Sequence, residues 1–514
     1  MVKDVNSSNF IVVDVGTEGT KSALISETGQ IISTSFYEYS LQCPKPHWAT
    51  QDPQVWWYAV KKTIREVIES SKIDPRSIVA MGVCGQMHAP IPISKDGEIL
   101  YSQPPLWCDK RNIEQCEELR NRINEAEIIE VTGNPITPAW MGLKIKWIKE
   151  KFPSIYEKTY KFLTPKDTII FLMTEQFVTD FSEASGTFLF DCKKLKWSPE
   201  LAEMLKIDLD KMPDVFPSHK VIGELKQDVA RELKLKTGIP VIAGGGDFPC
   251  AMLGAGGISD DIAIDIAGTS SLMAISLENI KTDQRLMNLH HVIDGWILFN
   301  EVEAGLLRWF RDNFAESEIK MAKRRNTTAY RILDEEAEII PAGSNGLIVF
   351  PHFIGERVLG RYYCKGGIVG LSLMHTKKHL FRALIEGITY ELRRVLDIIE
   401  EVIEKQIPIV RLVGGGSVSR LMREIRTNVY GRKIELLESF QGGLYGLVIL
   451  CMLGLKFDGG NVQKIVKKLI RVSDHLVPKK ELHEIYEKYY MAYKEIYHSM
   501  STLCACLRSH EIHE

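Results

Sequence analysis

FIVVDVGTEGTKSALI, residues 10–25, joins an apolar run to a turn of Gly, Thr and Glu, with the carboxylate of Asp14 near the end of the run. Such a run is typical of a buried strand, and the following TKSALISETGQIISTSFYEY predicts a β-hairpin that turns at Thr28 and Gly29. A carboxylate beside Gly-Thr amides can hold Mg²⁺ through water and hydrogen-bond a phosphate oxygen. A tight hairpin turn with a hydroxyl cap is the structural alternative.

Apolar strands and amphipathic helices alternate along the rest of the chain. QDPQVWWYAVKKTIREVIESS predicts a helix that starts at Asp52 and Pro53, and SIVAMGVCGQ predicts a strand. GIPVIAGGGD, IAIDIAGTSS and IPIVRLVGGGSVS are three further strands, each ending in Gly with hydroxyl or carboxylate residues. This order predicts an α/β protein of two domains, residues 1–256 and 257–514, with a helical tail on the second.

Composition limits the classes of partner. The 514 residues are 45% hydrophobic and 25% charged, with a formal net charge of -3, so no global field would gather nucleic acid or an anionic membrane. LYGLVILCMLGL, residues 444–455, is too short to cross a bilayer and predicts a buried helix. The first residues show no export signal, so a cytoplasmic location and small-molecule partners are expected.

Two further turns suit phosphate or nucleotide. AGTSS places Gly268 and Thr269 after a strand, which repeats the first Gly-Thr turn. GGGSVSR offers Gly415, Gly416 and Ser417 for close backbone approach to a flat or anionic ligand, although a plain strand–helix turn has the same pattern. The chain has neither GxxxxGK[ST] nor an early GxGxxG turn, which argues against P-loop NTPases and dinucleotide dehydrogenases.

Asp247 follows three glycines at a predicted strand end. A carboxylate there can accept a substrate hydroxyl proton during phosphoryl transfer, because the glycines leave room for the substrate. A helix N-cap is the alternative role.

Polar and aromatic groups of the first domain suit a polyol. GQMH contains Met87 and His88, and LWCDKR contains Trp107 and Asp109. An aromatic wall can cover the C–H face of a sugar while His and Asp bind its hydroxyls. A structural histidine and a core tryptophan are the alternatives.

Jointly, the motifs DVGTEGTK, GGGD, AGTSS and VGGGSVSR resemble those of the FGGY family of carbohydrate kinases, within the actin-like ATPase superfamily, over roughly residues 10–455. The resemblance implies two ribonuclease-H-like domains around a central cleft, with sugar mainly on the first domain and ATP mainly on the second. It also leaves a homodimer open, because relatives commonly form one.

The same resemblance implies a role for each matching residue. Asp247 would be the catalytic base, and Asp14 would hold Mg²⁺, through water. Sugar would bind at Met87, His88, Trp107, Asp109 and Asp247. ATP and its phosphates would bind at Gly16, Thr17, Lys21, Gly268, Thr269, Gly415, Gly416 and Ser417.

Within the family, GQMH, LWCDKR and the stretch TPKDTIIFLMTEQFVTDFSEASGT resemble members that phosphorylate xylulose. The expected reaction is therefore ATP-dependent conversion of D-xylulose to D-xylulose 5-phosphate. Members that act on gluconate also carry Met-His, so gluconate or another polyol is the alternative substrate, and a sugar- and ATP-binding regulator without turnover is the alternative of another class.

Glu18 departs from the family pattern, in which a small hydroxyl residue follows the DxGT threonine. A carboxylate here would repel phosphate. We expect Glu18 either to point away from the nucleotide or pair with a base such as Lys21, or to be an exposed turn carboxylate.

Overall fold

The computed structural model describes residues 8–268, 271–302, 305–353, 355 and 364–511. Contacts within it divide the chain into two units. Unit 1 comprises the described residues up to 258 together with 276–297 and 439–471, and unit 2 comprises the described residues of 259–275, 298–438 and 472–511.

The chain forms strands and helices in alternation. The strands are β1 Asn9–Val15, β2 Gly19–Ser26, β3 Ile31–Glu38, β4 Ile78–Gly85, β5 Ile91–Ile93, β6 Lys161–Leu163, β7 Val178–Asp180, β8 Phe190–Asp191, β9 Lys196–Trp197, β10 Asp214–Phe216, β11 Val221–Glu224, β12 Pro240–Ile242, β13 Gly245–Gly246, β14 Ile262–Ala267, β15 Ser271–Leu277, β16 Met287–His290, β17 Trp296–Val302, β18 Ile348–Phe350, β19 Gly367–Val369, β20 Ile409–Val413, β21 Lys433–Leu437 and β22 Val472–Leu476. The helices are α1 Pro53–Ser71, α2 Ile113–Arg122, α3 Glu125–Thr132, α4 Met141–Lys151, α5 Pro153–Lys158, α6 Pro165–Thr174, α7 Phe181–Ser185, α8 Pro199–Leu205, α9 Gln227–Leu233, α10 Asp247–Gly254, α11 Leu306–Phe314, α12 Glu316–Arg325, α13 Ala329–Ala337, α14 Lys377–Ile403, α15 Arg420–Tyr430, α16 Gly443–Gly454, α17 Val462–Leu469 and α18 Lys480–Glu511.

The main sheet of unit 1 has the order β11–β12–β4–β1–β2–β3, with β13 beside β4. β1, β2 and β3 pair antiparallel, and the turn between β2 and β3 contains Gly29 at a φ of 83°, which confirms the predicted hairpin. β1 and β4 pair parallel, and their register sets Asp14 opposite Cys84 on one side and Lys21 of β2 on the other. The predicted helix is also confirmed as α1, whose N-terminus is capped by Asp52.

Two segments from the second half of the chain pack into unit 1. α16 is apolar on all sides, and its residues from Leu444 to Met452 are buried with strand residues such as Phe10 and Val12 and with Cys250 of α10. The compact units are not continuous like the predicted domains 1–256 and 257–514, because 276–297 and 439–471 belong to unit 1. An all-apolar helix must be surrounded, and the sheet of unit 1 supplies that surrounding.

α10 and α16 approach each other at backbone distance. A Cβ atom at Gly446 would lie 2.0 Å from the carbonyl oxygen of Cys250, and one at Gly254 would lie 2.6 Å from the carbonyl oxygen of Gly442. Glycine is required on both helices for this contact. The contact fixes the start of α10, where Asp247 lies, relative to the start of α16.

In unit 2 the sheet runs in the order β17–β15–β14–β20–β21–β22, with β14, β20 and β21 parallel. A buried ion pair between Asp265 of β14 and Arg426 of α15 joins sheet and helix, and the Tyr430 hydroxyl donates to Asp265 over 2.7 Å. These bonds fix α15 against the strand end that leads to the Gly-Thr turn. Among the described residues, no helix is long and apolar enough to cross a bilayer.

We expect Gly446→Ala to destabilise the protein by about 2 kcal/mol or more, because the added methyl group meets the Cys250 carbonyl and the overlap outweighs the better helix propensity of Ala. The measurement is urea unfolding followed by circular dichroism. Gly459→Ala is the control, since nothing lies within 4 Å of its Cβ position and only its positive φ of 71° is strained. An equal or smaller loss at Gly446 would contradict the close helix contact.

Candidate functional site

Asp247 begins α10 directly after a turn that only glycine can form. Gly244 has a φ of 66°, and a Cβ atom there would lie 1.9 Å from the carbonyl oxygen of Val83. A Cβ atom at Gly246 would lie 2.4 Å from Sδ of Met87. The turn therefore places Met87 beside the residue that precedes Asp247.

Asp14 and Asp247 are carboxylates with raised pKa values. Burial raises the pKa of Asp14 to about 6, although a hydrogen bond from Cys84 and the charge of Lys21 oppose the shift. Burial and then the negative charge of Asp14 raise the pKa of Asp247 to about 7. The charge of Asp14 thus acts on Asp247, and perturbed carboxylates of this kind are characteristic of functional sites.

The beginning of α16 adds polar groups beside Asp14. Nζ of Lys21 donates to Oε1 of Gln441 over 2.6 Å, and a Cβ atom at Gly442 would lie 4.0 Å from Oδ2 of Asp14. The segment SFQGGLYG thus reaches Asp14 from more than 400 residues further along the chain. Lys21 therefore contacts the segment that precedes α16, while Glu18 is exposed.

The oxygen chemistry of Asp14 fits Mg²⁺. Its Oδ1 atom is buried and has no hydrogen-bond partner among the described residues. Mg²⁺ is commonly bound through one or two carboxylates, water and substrate phosphates rather than by a cage of protein ligands. Among the described residues, no group of three or more His, Cys, Asp or Glu could hold a metal ion.

Thr17 is linked to Trp107 by a hydrogen-bond network. Nε1 of Trp107 donates to the Thr17 hydroxyl over 3.0 Å, and that hydroxyl donates to Gln86 over 3.1 Å. Gln51 extends the network by donating to the Thr17 carbonyl oxygen over 2.7 Å and accepting from Gln86 over 2.9 Å. The predicted phosphate residue and the predicted sugar-stacking residue are thus neighbours, and the Thr17 hydroxyl is already engaged.

His88 occupies a constrained position beside Lys144. Its φ is 66°, and its ring lies against Trp140 and Gly186, where a Cβ atom would be 2.4 Å from the ring. Nζ of Lys144 donates to the carbonyl oxygens of His88 and Ala139 over 3.1 and 2.7 Å. Burial and the charge of Lys144 lower the pKa of His88 to about 3, so the imidazole is neutral at pH 7.

Asp109 has a different environment from the one predicted. Its exposed fraction is 0%, and it forms an ion pair with Arg111 over 2.6 Å. Its two oxygens also accept the backbone N–H groups of Arg111 and Ala49. These bonds satisfy the carboxylate within the protein, so Asp109 fixes the loop that carries Trp107.

Gly16 likewise serves its own turn. Its N–H donates to the Gly19 carbonyl over 3.0 Å, and its carbonyl accepts the Tyr39 hydroxyl over 2.7 Å. The amide is therefore used inside the hairpin turn, where a phosphate contact was predicted.

Unit 2 contains a cavity of about 440 Å³, within the range of small-molecule sites. Predicted nucleotide residues Gly268, Gly415 and Gly416 line it. The other lining residues are mostly apolar or aromatic and include Tyr330, Phe381, Ile385, Ile388 and Met422. Such a wall suits the flat face of a nucleotide base.

Polar groups at this cavity come from Ser271, Arg308, Asp334, Ser419 and Arg426. Burial raises the pKa of Asp334 to about 6, and Ser419 opposes the shift through a hydrogen bond. Ser417 is not among the lining residues, and its hydroxyl donates to the Gly414 carbonyl over 2.7 Å. Thr269 lies outside the described residues.

Comparisons with known proteins give the family. The model of the N-terminal domain of the FGGY family of carbohydrate kinases matches residues 9–254, and that of the C-terminal domain matches residues 265–455. The chain belongs to the FGGY family of carbohydrate kinases. Sugar kinases of this family use ATP, and Mg²⁺ is general for such kinases.

Relatives and solved structures extend the likeness over the whole chain. A xylulose kinase of Staphylococcus epidermidis is 29% identical over 99% of both chains, and a gluconokinase of Bacillus licheniformis is 27% identical over 94% of both. Structures of a gluconate kinase and of a ligand-bound xylulose kinase, both from Lactobacillus acidophilus, each match with a TM-score of 0.87 at 26% identity. They cover 96% of this chain and 99% and 98% of their own. The two-domain actin-like ATPase fold predicted from the sequence is confirmed.

Sequence reasoning missed Gln51, Lys144 and Gln441. Gln51 directly precedes Asp52, the cap of α1, and in the sequence it reads only as part of a helix start. Lys144 lies within α4. A lysine in a helix is normally expected to be exposed to solvent, but the exposed fraction of Lys144 is 0%. Gln441 could have been suspected from its place in the Gly-rich SFQGGLYG.

We expect Asp247→Asn to stabilise the protein at pH 8 by roughly 1 to 3 kcal/mol in magnesium-free buffer. Because the pKa of Asp247 is about 7 in the folded protein and 3.8 ordinarily, the wild type loses stability as the pH rises between these values. The gain from Asn should therefore shrink toward pH 4. Urea unfolding from pH 4 to pH 8 measures it.

Asp109→Asn is the matched control with the opposite expected sign. It removes the partner of buried Arg111, so we expect a loss of roughly 3 to 5 kcal/mol. If the two variants changed the free energy of unfolding in the same direction at pH 8, the conclusion that Asp247 is uncompensated and Asp109 is paired would be wrong.

Proposed function

We propose that this FGGY carbohydrate kinase transfers the terminal phosphoryl group of ATP to a hydroxyl of D-xylulose, giving D-xylulose 5-phosphate and ADP. The observation that carries the proposal is Asp247, a largely buried carboxylate at the glycine turn beside Met87. A kinase needs a base at the acceptor hydroxyl, and a pure binding protein does not.

Asp247 acts as the general base. As the sugar oxygen bonds to phosphorus, its proton passes to the Asp247 carboxylate, and the bond from phosphorus to the bridging oxygen breaks with its electron pair leaving on ADP. A pKa of about 7 suits this role, because the group is substantially ionised at neutral pH and basic enough to accept the proton.

Asp14 and Lys21 are proposed for the phosphate side of the reaction. Asp14 would hold Mg²⁺ through water, and the ion when bound neutralises charge on the phosphate oxygens. Lys21, held by Gln441, places a cation in the same region of unit 1. The cavity of unit 2 is proposed to bind the adenosine part of ATP, with its apolar wall against the base.

The charges around the proposed sugar residues favour a neutral ketose over gluconate. His88 is neutral at pH 7 because its pKa is about 3. Arg111 is bound to Asp109, and Lys144 is bound to two backbone carbonyls. A gluconate carboxylate would have to compete with Asp109 for Arg111, and burial lowers the pKa of Lys144 to about 7, so this lysine is only partly charged at pH 7. Sugar hydroxyls need only hydrogen-bonding groups such as a neutral imidazole.

Trp107 is proposed to cover the C–H face of the sugar. The Thr17 hydroxyl holds its indole N–H, which fixes the ring plane without using a ligand contact. Gln86 and Gln51 hold Thr17 in turn. The network therefore couples the proposed sugar wall to the turn that carries Asp14.

The substrate is tested by ADP release from the purified protein with ATP and Mg²⁺. We expect D-xylulose to stimulate release selectively over D-ribulose, L-ribulose, gluconate, glycerol and erythritol, with a reaction without sugar as the background. Selective stimulation by gluconate would show that gluconate is the substrate instead of D-xylulose; the gluconokinase relative supports this second candidate. ATP binding without stimulation by any of them would favour a regulator.

The base is tested by Asp247→Asn. We expect kcat to fall by about 10³-fold or more, because the hydroxyl proton loses its acceptor, while D-xylulose binding measured by calorimetry changes by less than about threefold. Asp96→Asn, an exposed turn residue, is the control and should keep wild-type kcat. Unchanged turnover in Asp247→Asn would remove Asp247 from the assigned role.

A further inference from the structure

A buried polar cluster lies behind the glycine turn and takes no part in the proposed chemistry. It is formed by residues of α6, β7 and α7 and of the loop that follows β10, and we call it the anchor cluster. Its members have exposed fractions of 2% or less and are Lys166, Asp167, Asp180, Ser182 and Ser218.

Lys166 connects the cluster to the start of the turn. Its Nζ lies 2.6 Å from Oδ1 of Asp167 and 2.9 Å from Oδ1 of Asp180, and it donates to the carbonyl oxygen of Ala243 over 2.9 Å. Burial opposes its charge, but the two carboxylates raise the pKa of Lys166 above its ordinary value. The lysine therefore stays protonated and holds both Asp180 and the turn.

Ser182 connects the cluster to the end of the turn. Oδ2 of Asp180 accepts the hydroxyl of Ser182 over 2.6 Å, and it also accepts the hydroxyl of Ser218 over 2.7 Å. The Ser182 oxygen in turn accepts the N–H of Gly246 over 3.0 Å. Asp180 thus fixes the orientation in which Ser182 receives the amide that directly precedes Asp247.

A third bond reaches the middle of the turn. The N–H of Gly244 donates to the Ser218 carbonyl over 2.9 Å. Residues 244–246 have no side chains that could pack, so hydrogen bonds to their backbone must restrain them. The bonds to Ala243, Gly244 and Gly246 are all made by residues of the anchor cluster.

We propose that Ser182, oriented by Asp180 and Lys166, is a positioning residue for Asp247: its hydrogen bond to Gly246 holds the carboxylate where it can receive the proton of the sugar hydroxyl. This inference rests on the proposed function, because it assigns a role relative to the base. Misplacement of a catalytic group by about 1 Å can cost 10²-fold in rate, so the anchoring has a measurable consequence.

Glu183 supports this arrangement without joining it. Both of its side-chain oxygens are buried, with no hydrogen-bond partner among the described residues. Burial and the charge of Asp167 raise the pKa of Glu183 well above its ordinary value. Asp167 and Asp180 are the carboxylates that contact Lys166.

The first test compares Ser182→Ala with Ser22→Ala. Ser22 is also fully buried, and its hydroxyl is paired with Thr63 over 2.7 Å, away from the turn. We expect both variants to lose similar thermal stability, but only Ser182→Ala to lose about 10- to 100-fold in kcat, with the KM for D-xylulose changed by less than about threefold. Equal kcat values in the two variants would overturn the proposal.

A second pair covers the case in which Ser182→Ala does not fold. Ser182→Thr and Ser182→Val have the same shape, but only Thr retains an oxygen that can accept the Gly246 N–H. We expect Thr to retain at least about tenfold more kcat than Val. Equal activity of the two would show that the oxygen has no positioning role.

A third measurement does not depend on turnover. Hydrogen–deuterium exchange of the peptide that contains Gly246 should be at least about tenfold faster in Ser182→Ala than in wild type or Ser22→Ala, because the amide loses its acceptor. Faster exchange with no ADP release in wild type would mean that the proposed function is wrong while the anchor exists. Unchanged exchange in an active wild type would mean that the anchor is wrong while the function stands.

Discussion

The backbone contact between α10 and α16 is the constraint on which the candidate site of unit 1 depends. Gly446 and Gly254 allow the two helices to meet without intervening side chains. A Cβ atom at Gly443 would lie 3.6 Å from the carbonyl oxygen of Asp247, so the turn before Asp247 and the loop before Gly443 are brought together, and Asp14 lies beside that loop. The position of the carboxylates is thus a consequence of helix packing rather than of the hairpin alone.

That packing also sets the electrostatics. Unit 1 has fully buried carboxylates, such as Asp109 and Asp180, and partly buried ones, such as Asp14 and Asp247. Asp109 and Asp180 have cations within 3 Å, from Arg111 and Lys166 respectively. Asp14 and Asp247 have raised pKa values instead, chiefly because burial is not fully compensated. A fold selected for stability alone would pair or remove such groups, so the uncompensated carboxylates mark the place where binding of a cation and transfer of a proton are expected.

Local patterns in the sequence were sufficient to predict local structure. The hairpin at Gly29, the cap of α1 at Asp52 and the buried helix α16 depend on neighbouring residues, and all are confirmed. The assignment of 276–297 and 439–471 to unit 1 depends on contacts between distant segments, which no local pattern contains. Asp109 was assigned to sugar because its type suits a hydroxyl, although Arg111 two residues later could have indicated an ion pair. Gln51 and Gln441 act through partners far along the chain, which explains why composition gave no signal.

Glycine at three consecutive positions before Asp247 permits a tight turn but leaves that turn without side-chain contacts. It allows a close approach to Val83, since a Cβ atom at Gly244 would lie 1.9 Å from the Val83 carbonyl oxygen. The same glycines, however, have no side chains whose contacts could hold the turn rigid. A base must be held to within a fraction of an ångström, so the restraint has to come from elsewhere. The pairing of β13 with β4 supplies part of it, and Lys166, Ser182 and Ser218 add bonds to the turn backbone. The stretch that contains Lys166 and Ser182 therefore acts on the base through the backbone of the turn.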